Sequence, residues 1–260
     1  MNFIEYARMY EAEDSHWWYV GLHTLILETV RREKLRLGRP LRIFDAGCGT
    51  GRLCQLLAEQ GHSASGCDAS EEALRFCCQR GISEVFKADL NTLELEPDAF
   101  DVITSIDVLY HAGIADDVAV MRRLLTALKP GGLLILNLVA HEFLRSSHDI
   151  AVHTRERYTR SMLSRRIQAA GFDRIFSSYR VSLLFPLIAA YRIGIRFFGN
   201  RAADNDAVAS DVALPHPLVN TLLLKSLNVE NRLILSGRIL PTGSSVFVVA
   251  RKPGETLHAA

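Results

Sequence analysis

Apolar residues recur along this chain first at a single helical spacing, then in short runs that alternate between extended and helical periods. After a polar opening, Leu22, Leu25, Ile26 and Val30 return at helical spacing, and Gly38 and Pro40 end that amphipathic helix. Residues 41–46 (LRIFDA) read as a strand entering a glycine-rich turn. Leu53, Leu56 and Leu57 then share a helical face that stops at Gly61. Ser63–Asp68 predicts a second strand, 71–80 a second helix, 84–88 a third strand and Phe100–Ile106 a fourth. Met121, Leu124, Leu125 and Leu128 mark a helix closed by Pro130, Gly131 and Gly132. Residues 133–140 (LLILNLVA) form a fifth strand, apolar enough to be buried on both faces.

Strands alternating with helices through about residue 180 predict a parallel sheet with helices on both faces. The alternation then breaks. Residues 183–198 are strongly apolar but contain Pro186, Arg192 and Arg196; 200–213 are polar and read as a linker; a helix is expected around 218–235; and Ser245–Arg251 has strand composition. The expected organisation is therefore an N-terminal helical cap over 1–40, a core over 41–182, a helical insertion over 183–243, the last core strand over 244–252 and a tail over 253–260.

Composition narrows this. Of 260 residues, 48% are hydrophobic and 23% charged, the mix of an ordinary globular protein. Thirty Lys and Arg against 29 Asp and Glu leave a formal charge of +1, too little cationic surplus for broad nucleic-acid binding. Neither a secretory signal nor an apolar run of about 18 residues is visible, so a soluble cytoplasmic protein is expected. Cys48, Cys54, Cys67, Cys77 and Cys78 are odd in number and lack paired CxxC units, which argues against a disulfide framework or a metal site.

The most informative residues are Asp45, Ala46, Gly47, Cys48, Gly49, Thr50 and Gly51. A strand ends in glycines at alternate positions and a helix begins at once. Such a turn brings backbone close to a ligand and presents a helix N-terminus to it. Asp68, at the end of the next strand, is placed to accept hydrogen bonds from ribose hydroxyls. A dinucleotide fingerprint would need a small residue where Arg52 stands. No GxxxxGK[ST] loop and no Tyr followed four residues later by Lys occur, so nucleotide-triphosphate loops and the usual dehydrogenase pair are absent.

The segment DAGCGTG resembles motif I of the class I S-adenosylmethionine-dependent methyltransferases. The resemblance continues through Gly66-Cys67-Asp68, Ala88-Asp89-Leu90, residues 100–111 and the LKPGG turn at 128–132, covering about residues 41–140 in order. It implies a Rossmann-like α/β fold with a seven-stranded, mostly parallel sheet, and S-adenosyl-L-methionine as cofactor. Position by position it implies that Gly47, Gly49 and Gly51 form a backbone wall and that Asp45 orients the amino end of the cofactor. Asp68 would bind the ribose and Asp89 the adenine amino group, with Ala69 and Leu90 on the ring faces and Ile106 beside the sulfonium. The flanks 16–23 and 153–172 also resemble a bacterial subgroup of small-molecule methyltransferases.

Methyl transfer is an in-line displacement that needs positioning and a dry site, with a base only for acidic nucleophiles. His111, after strand four, is the first base candidate and His153 the second. Tyr110, Arg157 and Tyr158 are candidates for acceptor contact, and the arginines around them open the reading of an anionic acceptor. Trp17, Trp18 and Tyr19 are candidates for a lid over the acceptor. Residues 183–198 admit packing on the domain, pairing of two subunits or peripheral membrane contact, and packing is favoured. The expected protein is a monomer or homodimer that methylates O, N or C of a small molecule in specialised-metabolite or cell-envelope biosynthesis, without nucleic-acid partners. Cofactor binding without turnover, or a lipid-linked or macromolecular acceptor, are the alternatives.

Overall fold

The computed structural model describes residues 3–198 and 214–254, so the expected linker at 200–213 lies outside the described residues. Two helices open the chain, α1 (Phe3–Ala12) and α2 (Trp17–Leu37). The first replaces the polar opening expected from sequence. Its Tyr10 ring lies 4.8 Å from that of Phe76, and Arg80 covers the same tyrosine at 4.3 Å, so tertiary contacts hold a helix too short to persist alone. The second starts where His16 accepts from the Trp18 amide and stops where Gly38 turns left-handed at φ 69°.

The core then runs β1 (Arg42–Ala46), α3 (Arg52–Glu59), β2 (Ser63–Asp68), α4 (Glu71–Gln79), β3 (Val85–Lys87), β4 (Phe100–Ile106), α5 (Asp117–Ala127), β5 (Leu128–Val139), α6 (Ser147–Ala151), α7 (Arg160–Ala169), β6 (Asp173–Arg180), α8 (Phe185–Phe198), α9 (Pro217–Leu235) and β7 (Ser245–Arg251). The strands form one seven-stranded sheet in the order β3-β2-β1-β4-β5-β7-β6. All neighbours are parallel except β7, which runs antiparallel to both β5 and β6. The seven-stranded Rossmann-like sheet is thus present as expected. One boundary differs: β5 begins at Leu128, so Pro130, Gly131 and Gly132 open the strand instead of closing a helix. The proline is tolerated because β5 pairs with β7 only from Leu133 onward.

Alternate residues of the central strands feed two cores. Ile103, Leu134 and Leu136 face α5 and α7 with Leu124 and Ile167, whereas Val102, Leu133 and Ile135 face α2 with Leu22, Leu25, Ile26 and Val30. Each of those fully buried α2 side chains contributes about 1.5–3 kcal/mol by leaving water. The strand order reverses at β1, whose neighbours β2 and β4 connect in opposite directions, and a crevice opens beyond the carboxyl ends there.

Candidate active site

The turn after β1 is built around backbone. Gly47 and Cys48 both donate to the Cys67 carbonyl at 2.9 and 2.8 Å, which ties the loop to the end of β2. Gly47 has φ 87°, and a Cβ there would lie 2.4 Å from Val108, so only glycine lets the loop after β4 pack on it. Gly49 turns at φ 53° beneath Met9 of α1. Gly51 corrects one expectation: at φ 81° it caps α3, a Cβ would meet Cys77 Sγ at 2.8 Å, and it does not border the cavity. Its glycine serves the approach of α3 to α4.

Asp68 Oδ2 accepts from the Gly49 amide at 3.0 Å and Oδ1 from the Ser70 amide at 2.9 Å. Those two donors aim the carboxylate across the crevice. Tyr6 of α1 also donates to Oδ1, at 3.3 Å. Asp89 accepts from the amide and side chain of Asn91, and Asn91 in turn donates to the Gly113 carbonyl. The loops after β3 and β4 are thereby held together.

A cavity of about 900 Å³ joins these elements. Of the residues expected to hold a cofactor, Asp45, Gly47, Gly49, Asp68, Ala69, Asp89, Leu90 and Ile106 line it. Of those expected at the acceptor, Trp17, Trp18, Tyr19, Tyr110, His111 and Arg157 line it as well. His153 and Tyr158 do not.

Several expectations change with the hydrogen bonds. Tyr158 is fully buried and donates to Asp117 at 2.7 Å, with the Leu109 carbonyl 3.3 Å from the same hydroxyl, so its hydroxyl serves packing between loops. Arg157 borders the cavity but is clamped by both oxygens of Asp149, at 2.8 and 2.9 Å, and donates to the Ala140 carbonyl. Arg166 bridges Asp117 and Glu156, and Arg155 binds the Ile114 carbonyl. The arginines that suggested an anionic acceptor are therefore engaged internally. His153 stands with its ring 5.7 Å from that of His111, at φ 52°, away from the cavity wall.

His111 also reads differently. Its Nδ1 accepts from the Gly113 amide at 3.0 Å, so the neutral ring carries its proton on Nε2. That Nε2 is buried with no partner among the described residues, and burial keeps the ring's pKa low. In this arrangement His111 is a donor into the cavity.

Two carboxyls stand out on the same wall. Asp45 is fully buried, accepts from Thr104 at 2.6 Å, and is pushed up to about 7, chiefly by burial and also by nearby Asp68. Asp107 follows Ile106 directly and is not among the residues that the sequence singles out. Burial pushes it up to about 7 as well, against the hydrogen bond from Asn137. The sequence signal for it was a carboxylate one residue beyond the end of β4. Sequence reasoning also missed Tyr6, Met9 and Glu13, which α1 and its following turn bring to the wall, and Leu187, Ile188 and Tyr191 of α8. Glu13 is anchored there by Arg80 at 2.5 Å and by Thr50.

The apolar segment 183–198 forms α8, yet Leu183, Leu187 and Tyr191 stay 57%, 72% and 65% exposed. Complete packing onto the domain, the favoured expectation, is not what the described residues show. The side chains of Arg192 and Arg196 lie outside the described residues. No helix among the described residues is long and apolar enough to cross a membrane, and no cluster of candidate metal ligands occurs among them.

Residues 44–136 match the family model described as a methyltransferase domain. The chain is 28% identical over 153 residues to a ubiquinone biosynthesis O-methyltransferase of Idiomarina loihiensis, covering 52% of this chain and 62% of that one. It is 30% identical over 130 residues to the same-named protein of Ralstonia nicotianae, covering 45% and 53%. The chain thus spans little more than half the length of these curated relatives. Among solved structures, an S-adenosylmethionine-dependent methyltransferase of Thermotoga maritima, described as a possible histamine N-methyltransferase, superposes with TM-score 0.56 at 17% identity over 95% of both chains. Phosphoethanolamine N-methyltransferase 2 of Haemonchus contortus superposes with TM-score 0.52 at 20% identity, covering 82% of this chain and 49% of that one. At these identities the superpositions establish the fold alone.

Proposed function

We propose, from the match of residues 44–136 to a methyltransferase-domain model, that the chain is a class I S-adenosylmethionine-dependent methyltransferase that binds S-adenosyl-L-methionine and methylates a hydroxyl of a small-molecule acceptor in a biosynthetic pathway. The observation that carries the reading is the single cavity: the glycine turn, Asp68 and Asp89 share one wall with the buried polar groups after β4. The curated relatives are O-methyltransferases of ubiquinone biosynthesis, which supports oxygen as the nucleophile.

The residues present fit the cofactor. Asp68, steered by the amides of Gly49 and Ser70, retains a free acceptor site on Oδ2 for one ribose hydroxyl, and the second hydroxyl takes the place of the longer Tyr6 bond on Oδ1. Asp89 stands at the rim for the adenine amino group, with Ala69 and the buried Leu90 against the ring. Asp45 offers a carboxylate to the methionine ammonium, and Ile106 lines the path toward the reacting carbon. When bound, the cofactor supplies a methyl group already activated on a sulfonium. Trp17, Trp18 and Tyr19, with Tyr110 of the loop after β4, keep water from the acceptor, and the helix start that the first three occupy is fixed by the Trp17 amide on Asn220 of α9 at 2.9 Å. His111 donates from Nε2 to an acceptor oxygen. With Arg157 held by Asp149, the acceptor need not be anionic. Five unpaired cysteines, four of them buried, suit a reducing cytoplasm.

The test is calorimetry with S-adenosyl-L-methionine and S-adenosylhomocysteine, followed by transfer of labelled methyl to a panel of hydroxylated small molecules. Binding of both ligands and label in an extractable product are expected. Absence of binding would refute the reading, and binding with no transfer to any acceptor would favour a sensor.

A further inference from the structure

Asp107 is placed as a reactive group is placed. It follows Ile106, the last residue of β4 and the register partner of Asn137 on β5, and the Asp107 backbone is left-handed at φ 56°. No glycine relieves that conformation, which costs about 1 kcal/mol or more and survives only where surrounding contacts enforce it. Those contacts are specific: the Asp107 amide donates to the Asn137 carbonyl at 2.8 Å, and Asn137 Nδ2 donates to Asp107 Oδ2 at 2.9 Å. One oxygen is thus fixed from behind. The other, Oδ1, is buried with no hydrogen-bond partner among the described residues, and the residue lines the cavity.

Four residues later in the same loop, His111 presents an unpartnered Nε2–H to the same cavity. An acceptor and a donor, both unsatisfied, match a group that can do both. A hydroxyl with an oxygen neighbour, as in a catechol, can give its proton to one and accept from the other. An ammonium offers donors alone and would leave the histidine unmatched. The remaining wall is aromatic and aliphatic, with Tyr19, Tyr110, Val139, Leu144 and Val152.

We propose that Asp107 Oδ1 is the proton acceptor for the acceptor's hydroxyl, and that His111 Nε2–H holds the adjacent oxygen. This rests on the methyltransferase reading above. The acceptor oxygen bonds to the methyl carbon as the carbon–sulfur bond breaks with its electron pair remaining on sulfur. The hydroxyl proton passes to Oδ1 of Asp107, and from there to solvent when product leaves. The charged and titratable groups that act on Asp107 are Tyr19 of α2, Tyr110 of its own loop, Arg157 after α6 and Arg180 of β6. The two phenols remain protonated because burial raises them, so neither competes for the proton near neutrality. Burial places the carboxyl near 7, where a general base is most effective.

The experiment uses 4-nitrocatechol, whose phenolate absorbs apart from its phenol, with the wild type, Asp107→Asn and His111→Phe. Cofactor binding by calorimetry is measured first on each. An affinity within about threefold of wild type shows that the site is intact, on the order of the neutral effect of a remote change. The wild type is expected to hold the bound probe's apparent pKa about one unit or more above its value in Asp107→Asn, because the two groups share one proton and an ionised carboxylate opposes the phenolate, and His111→Phe is expected to weaken probe binding about tenfold, in line with one hydrogen bond to a charged group. An infrared carboxyl band that titrates near neutral pH and vanishes in Asp107→Asn is the second readout. Failure of the wild type to bind the probe, an unchanged probe spectrum in Asp107→Asn, or an Asp107 band titrating in the ordinary carboxylate range would each overturn the assignment. Absent cofactor binding in the wild type would instead refute the underlying reading.

Discussion

Asp45→Asn isolates the energetic conflict built into the glycine turn. Asp45 sits on β1, fully enclosed, with Oδ1 accepting from Thr104. Asparagine has the same shape and keeps that acceptor. The carboxyl is pushed from 3.8 up to about 7, first by burial and then by Asp68, while the Thr104 bond opposes the rise. In the unfolded chain the group ionises near 4; in the folded protein it holds its proton until about 7. Between those values the folded state binds more protons, so raising pH lowers stability, and above 7 the loss is complete. From pH 5 to pH 8 the wild type loses about two pH units' worth, ~3 kcal/mol at ~1.4 kcal/mol per unit, that the amide does not lose. The amide nitrogen finds no certain acceptor and costs about 1–2 kcal/mol at both values. The expected outcome of urea unfolding followed by Trp17 and Trp18 fluorescence is therefore a variant slightly less stable than wild type at pH 5 and about 1–2 kcal/mol more stable at pH 8. The same variant should bind the cofactor about tenfold more weakly at pH 8, having lost a partner for the ammonium. An equal stability difference at the two pH values would refute the argument, because it would mean Asp45 is already ionised at pH 5.

Asp68→Asn should weaken cofactor affinity ten- to a hundredfold by calorimetry, since neutral hydrogen bonds replace charge-assisted ones, while leaving the fold intact by circular dichroism. Gly47→Ala forces a Cβ to 2.4 Å from Val108 at φ 87° and should destabilise the protein by about 2–4 kcal/mol in urea unfolding. Tyr158→Phe removes the bond to Asp117 and should cost about 1–3 kcal/mol of stability, with no change in cofactor affinity, because the residue is away from the cavity. Cofactor binding at pH 7 should release protons as Asp45 ionises toward the ligand's positive charge, measurable as different heats in buffers of different ionisation enthalpy.

What the sequence made legible was local. The strand-to-glycine turn, Asp68 at the next strand end and Asp89 after the third lie within a few residues of the element that aims them, and their side chains reach the crevice whatever the distant chain does. Arg157 and Tyr158 looked equally suited to a ligand. Their partners, Asp149 and Asp117, are acids whose proximity depends on how the loop after β5 folds back, which no spacing encodes. His111 was legible as a rim residue, but its role turns on a backbone amide two residues on that fixes the tautomer. The first helix was illegible for another reason: it exists through Tyr10 on Phe76 and Glu13 on Arg80, contacts made with α4 and the turn after it.

The buried polar atoms left without partners argue further. Asp107 Oδ1, Asn137 Oδ1 and His111 Nε2 are unsatisfied among the described residues. Each costs about 1–3 kcal/mol if nothing pairs with it. Apolar residues at positions 107 and 137 together would remove the penalty at both, so folding alone gives no reason to keep the pair. All three residues stand together at the carboxyl ends of β4 and β5 and in the loop between β4 and α5, beside the point where strand order reverses. The same region holds the left-handed backbone of Asp107 and the raised carboxyls of Asp45 and Asp107. Strain, unpaired donors and acceptors, and disfavoured charge all converge on one wall of one cavity. A ligand that brings positive charge and hydroxyl groups pairs the free donors and acceptors and favours the ionised carboxyls in a single binding event, which is the physical reason to expect the ligand-bound protein to be markedly more stable than the ligand-free one.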